Sequence, residues 1–131
     1  DSDVLLDIAL ARDPFVHSSR LCYSKLIQGG NKLFVSALAL GNIIYLITKY
    51  RDKYVAGEFV KLVLKNAEVT QMPKTAFINA IEMGYPDLED GIQIEAAKAV
   101  GINLIITRNL RDYKNKFIPV KTPEQYLKSI G

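Results

Sequence analysis

The chain is poor in several residue types that common chemistries depend on. Among 131 residues there is one cysteine, Cys22, one histidine, His17, and no tryptophan. A lone cysteine forms no intrachain disulfide, and with no histidine at a meaningful spacing it makes a poor thiol nucleophile. Such cysteine usage fits a reducing compartment, so a cytoplasmic location is expected. His17 lies beside Ser18 and Ser19 early in a predicted helix and is expected at the surface rather than as a catalytic base. Long apolar runs are also missing. The longest uncharged stretch, Leu33 to Thr48, is 16 residues and is broken by Ser36, Gly41 and Asn42. A membrane-spanning helix needs about 20 apolar residues, so no span is expected. No basic segment followed by an apolar one is visible at the start, so nothing in the sequence directs secretion. The seven tyrosines are scattered and form no stacking platform of the kind an RNA-recognition sheet presents.

What remains is an ordinary globular composition. Hydrophobic residues make up 49% and charged residues 24%, which argues against both disorder and a coiled coil. The length fits one domain over residues 1–131, long enough to bury a core without staples. The net charge is +3, a weak hint of a polyanionic partner taken alone. Its distribution carries more. Arg108, Arg111, Lys114, Lys116 and Lys121 accompany a single acid, Asp112, whereas other acids gather at Asp1 and Asp3, at Asp7, and at Asp87, Glu89 and Asp90. Acidic clusters beside a basic tail region suggest a metal next to a phosphate, against the simpler reading of scattered solvated charge.

Periodicity predicts alternating helices and strands. Natural reading frames do not begin with Asp, so a short apolar strand leading into Asp1 is expected. Val4 to Arg12 reads as a brief helix, and Asp13-Pro14 as the N-cap and first position of a second one ending at Gly29-Gly30. A strand over 32–36, helices over 37–49 and 53–66, a small strand over 68–71 and a helix from Pro73 to Gly84 follow. Tyr85-Pro86 forces a turn, and Asp87 caps a helix from Leu88 to Val100. Asn103 to Thr107 is the clearest buried strand. Phe117 to Val120 is another, and Thr122-Pro-Glu-Gln125 is a capping box opening the last helix. The expected architecture is α/β, with a central, mainly parallel sheet flanked by helices.

Ligands of such sheets gather beyond the carboxyl ends of the strands. Asp1, the pair Asp87 and Asp90, and Asp112 all fall at such ends. Carboxylates brought together there suit a hard divalent cation such as Mg²⁺, which activates water and clamps a phosphoryl oxygen. Each residue also has a plainer role. Asp87 serves as an N-cap, Asp90 as a first-turn acid favoured by the helix dipole, and Asp7 as a solvated or salt-bridged residue. Asp3 is divided between orienting a metal water and a surface charge. Asn42, in an apolar helix, needs polar partners if buried. Thr107 and Asn109 could simply complete a turn, and the basic loop could be ordinary surface.

Asp1-Ser-Asp-Val-Leu-Leu-Asp7, Val35 to Ile43, Leu88-Glu-Asp-Gly-Ile-Gln93 and Ile106-Thr-Arg-Asn-Leu-Arg-Asp-Tyr113 together resemble the motifs of the PIN domain family, in order and spacing. Thr122 to Leu127 resembles its closing helix. The resemblance implies a three-layer fold and a ribonuclease dependent on Mg²⁺ or Mn²⁺, hydrolysing RNA with a metal-activated water. By position it places Asp1, Asp90 and Asp112 in the metal site and in catalysis; Asp87, one turn before Asp90, is a further candidate metal ligand. It places the family's second acid on Asn42, an amide that contributes no charge. Arg108, Arg111, Lys114 and Lys116 become candidate phosphate contacts. A homodimer, and a small antitoxin protein as in VapBC-type toxin–antitoxin pairs, are implied as partners.

Two other readings stand beside it. Asn42 favours a weakened PIN-like module that only binds RNA or protein. Asp1-Ser-Asp-Val-Leu also resembles the Asp-x-Asp opening of haloacid-dehalogenase phosphohydrolases. In that family, however, a Ser/Thr motif and a lysine should precede the late acids, yet Asp87 and Asp90 precede Thr107.

Overall fold

The computed structural model describes all residues, 1–131. Seven helices and four short strands alternate along the chain: α1 (Ser2–Ala9), α2 (Val16–Gln28), β1 (Leu33–Ser36), α3 (Ala37–Tyr50), α4 (Lys53–Asn66), β2 (Ala67–Thr70), α5 (Lys74–Met83), α6 (Leu88–Ala99), β3 (Ile105–Ile106), β4 (Val120–Lys121) and α7 (Pro123–Ile130). Side-chain oxygens fix most helix starts. Ser36, Asp52, Asp87 and Thr122 accept the N–H of Ala39, Val55, Asp90 and Gln125 respectively, and Gln125 completes the expected capping box. The second helix departs from expectation. Its cap position is Phe15, which offers no side-chain bond, and the Arg12 carbonyl accepts both Phe15 and Val16 N–H. Asp13 therefore caps nothing.

All strand pairing is parallel, as the alternation requires, but the strands form two separate pairs. β1 lies beside β2 with Leu33 opposite Ala67, and β3 lies beside β4 with Ile105 opposite Val120. The last two strands are shorter than their apolar runs suggest, because only two residues of each find a partner. The main core joins Leu5 and Leu6 of α1 to Val35 of β1, to Ala39, Ile43 and Ile47 of α3, and to Val63 of α4. A smaller cluster packs Ala76 and Ala80 of α5 against Ile92 and Ala96 of α6. Between the pairs lies a cavity of about 400 Å³ whose lining includes Val4, Val35, Ala39, Leu104 and Ile106. Ile105 and Thr107 donate to the carbonyls of Pro119 and Lys121. Alternation along a strand therefore turns the Ile106 carbonyl the other way. It accepts the Asp1 ammonium at 2.8 Å. No helix is long and apolar enough to cross a membrane.

Candidate metal centre

The start of α6 and the loop after β3 bring three carboxylates together. Asp87 reaches the helix through the Tyr85-Pro86 turn and accepts the Asp90 N–H at 2.9 Å, so the cap itself sets the separation of the two acids. Gly91 follows because the Tyr85 side chain fills the space of a Cβ. The Cβ, Cγ and Cδ2 atoms of Tyr85 would lie 2.6–2.7 Å from it. Tyr85 in turn donates to Glu95 Oε2 at 2.6 Å, tying the turn to the helix. Gly91→Ala is expected to displace Tyr85 and cost about 1–3 kcal/mol of stability, read as a lower urea midpoint.

Asp112 is placed by a chain of side-chain bonds. Thr107 Oγ1 donates to Asp1 Oδ2 at 2.6 Å and accepts the Asn109 N–H at 3.0 Å. Asn109 donates through Nδ2 to Asp112 Oδ2 at 2.7 Å and accepts the Asp112 N–H at 3.4 Å. Thr107 and Asn109 thus complete the turn and also aim a carboxylate.

Oxygens of Asp87, Asp90 and Asp112 lie within 4.8 Å of one another, and all three residues are half-buried. Crowding acidic groups out of water disfavours their charged forms. The Asp90 carboxyl is accordingly pushed up to about 6. Burial is the largest cause, followed by the Asp87 charge, with smaller contributions from Asp112 and Glu89; a hydrogen bond from the Tyr113 hydroxyl opposes them. Tyr113 is buried, and its own hydroxyl is held protonated by that burial and by the neighbouring Asp90 charge. Such an all-oxygen, acidic donor set is the chemistry that hard divalent cations prefer.

The other expected site residues are placed differently. Asp1 stands outside the group of three. Its Oδ1 accepts the Val4 N–H at 3.3 Å and its Oδ2 accepts Thr107, although its ammonium lies close enough to feel the Asp90 charge. Asn42 donates to Ser2 Oγ at 3.3 Å. Asp3 is paired at 3.5 Å with Arg12. Of the basic loop, Arg111, Lys114 and Lys116 are exposed, but Arg108 points inward and binds Asp7 through Nε at 2.7 Å and Nη2 at 3.2 Å. Asp7 is fully buried, which corrects the expectation of a solvated residue and leaves only the salt bridge. His17 is exposed, as expected. The structure adds Tyr113, for which the sequence offered no signal beyond its place next to Asp112. It adds Gln93 too, which accepts the Ser36 hydroxyl at 2.9 Å one turn past Asp90.

A family model described as PIN domain matches residues 1–111. The chain belongs to the PIN domain family. The match ends at Arg111, one residue before Asp112, so that acid's place in the group rests on the geometry above. Neither the curated proteins nor the solved structures contain a match to the chain. The α/β architecture with parallel strands is that of a PIN domain, and its fold is of nuclease type. The haloacid-dehalogenase reading falls with this assignment, as the order of its motifs already suggested.

Proposed function

We propose that this PIN-domain protein is an endoribonuclease dependent on Mg²⁺ or Mn²⁺. The observation that carries the proposal is the half-buried group of Asp87, Asp90 and Asp112 within 4.8 Å. A divalent cation bound there would supply Lewis-acid activation of water and of a phosphoryl oxygen. The chain's own residues supply the rest. The Tyr113 hydroxyl favours the charged form of Asp90, Asn109 holds Asp112, and Thr107, just past β3, holds Asp1, a further carboxylate with lone pairs to spare. Asn42, tied to Ser2, adds a polar group without charge. The exposed Arg111, Lys114 and Lys116 flank Asp112 and are suited to hold the phosphates on either side of the scissile bond. The wider reading is of a cytoplasmic toxin acting as a homodimer and restrained by a small antitoxin protein, and its support is the family resemblance.

The test is incubation with a mixed RNA pool, with Mg²⁺ or Mn²⁺, with EDTA, and with Asp90→Asn. Metal-dependent cleavage lost in the variant supports the nuclease. No cleavage by a folded wild-type protein that still binds RNA would replace it with a binding module, the outcome Asn42 favours. Replacing Arg111, Lys114 and Lys116 together by Gln is expected to flatten the log–log salt dependence of RNA binding by about 2, at roughly 0.7 per phosphate contact on a single strand. Filter binding from 50 to 300 mM salt, on the order of a Debye length of 14 down to 6 Å, measures that slope.

A further inference from the structure

Arg108 opens the basic loop that carries Asp112, yet its guanidinium is committed inside the protein. Asp7 accepts four hydrogen bonds. Arg108 contributes two, Arg12 Nε one at 2.9 Å, and Ser19 Oγ one at 3.4 Å. That fills the acceptor capacity of a carboxylate. The Arg108 guanidinium also lies 3.8 Å from the Phe15 ring centroid, so one face is covered while two of its three nitrogens bond to Asp7. A planar fork on a carboxylate, stacked on an aromatic ring, fixes the orientation of a side chain in a way that a lysine cannot reproduce.

The position of Arg108 gives this anchor its consequence. Its neighbour on one side, Thr107, bonds to the Asp1 carboxylate; its neighbour on the other, Asn109, bonds to Asp112 at both the side chain and the N–H. We infer that Asp7 and Arg108 are a positioning pair, which pins the 107–109 backbone to α1 and so sets Asp112 against Asp87 and Asp90. The inference rests on the metal-site reading above and adds a residue pair to it. Arg108 accordingly takes no part in holding RNA phosphates.

Arg108→Lys keeps the charge and removes the fork, and Arg108→Gln removes both. Groups that orient ligands from behind typically change metal affinity 10–100-fold. Both variants are expected to bind Mn²⁺ at least tenfold more weakly by calorimetry, with kcat falling, while KM for RNA and the salt slope of RNA binding stay at wild-type values. Wild-type Mn²⁺ affinity in Arg108→Lys, with a shifted KM or salt slope in Arg108→Gln, would make Arg108 a phosphate contact and overturn the pair. Circular dichroism and the urea midpoint confirm that the variants are folded. A metal-free readout separates this inference from the nuclease proposal. Amide exchange at Asp112, whose N–H is held by Asn109, should speed up at least tenfold in Arg108→Lys even if the wild-type protein cuts no RNA. Unchanged exchange there would refute the inference by itself.

Discussion

Asp90→Asn is expected to abolish metal-dependent RNA cleavage, by on the order of 100-fold or more, while making the folded protein more stable at neutral pH. The two effects have one cause. The carboxyl of Asp90 is raised from 3.8 to about 6, chiefly by burial and by Asp87. A carboxyl whose pKa is higher in the folded state is more protonated there than in the unfolded chain between those values. Stability therefore falls as pH rises from about 4 to about 6, and above that range the whole cost is present. Full burial would make that cost about 3 kcal/mol for two units, but Asp90 is half exposed and screened by water, so about 1 kcal/mol is expected. An asparagine still accepts the Tyr113 hydroxyl and carries no charge at any pH. Urea midpoints at pH 4.5 and 7.5 should thus converge at the lower pH and separate at the higher, with the variant above. A bound cation would offset the same repulsion, so wild-type Mn²⁺ affinity should weaken as pH drops below about 6. A variant that is both less stable at pH 7.5 and fully active would remove Asp90 from the site.

The parts of this arrangement that local chemistry decides were legible from the chain. The Asp87 cap, the Thr122 capping box and the α4 boundaries follow from residues within one turn of each other, and the structure has them where the spacing puts them. The meeting of Asp87, Asp90 and Asp112 was legible only in outline, from the rule that strand ends share an edge. The basic loop was not. Arg108, Arg111, Lys114 and Lys116 look alike in sequence, and what separates Arg108 is a partner 101 residues away. Asp7 interrupts an apolar run, Leu5-Leu6-Asp7-Ile8, which is the pattern of a buried ion pair as much as of a surface acid. Its four hydrogen bonds come from three residues, Arg12, Ser19 and Arg108, and no spacing rule links the last of these to the first two. Asp1 shows the same limit, since its carboxylate is decided by the distant Thr107.

Joining a five-residue apolar segment to the Asp1 nitrogen is expected to stabilise the protein by about 3 kcal/mol. The cavity of about 400 Å³ between the two strand pairs is apolar over most of its lining, and the Ile106 carbonyl faces into it. An extended segment there would bury side chains on both faces at roughly 1.5–3 kcal/mol each, against about 1–2 kcal/mol per residue for ordering the backbone. Backbone bonds to the exposed strand edges make up the margin. The Asp1 ammonium contributes a separate signature. Burial lowers it from 8.0 to about 6, opposed chiefly by the Asp3 charge and less by that of Asp90. A base with a lowered folded pKa binds fewer protons folded than unfolded, so stability rises with pH between about 6 and 8. That two-unit window corresponds to about 3 kcal/mol. In the extended protein the same nitrogen is a neutral amide that still donates to Ile106, and the rise should vanish. A control segment of equal length with a central proline lacks a donor and cannot lie flat in a ladder. It should lose the pH signature but gain little stability. Urea melts at pH 6 and pH 8 of the three proteins separate the terms. Extended and proline-containing proteins with the same midpoint would mean that the cavity does not accept a strand.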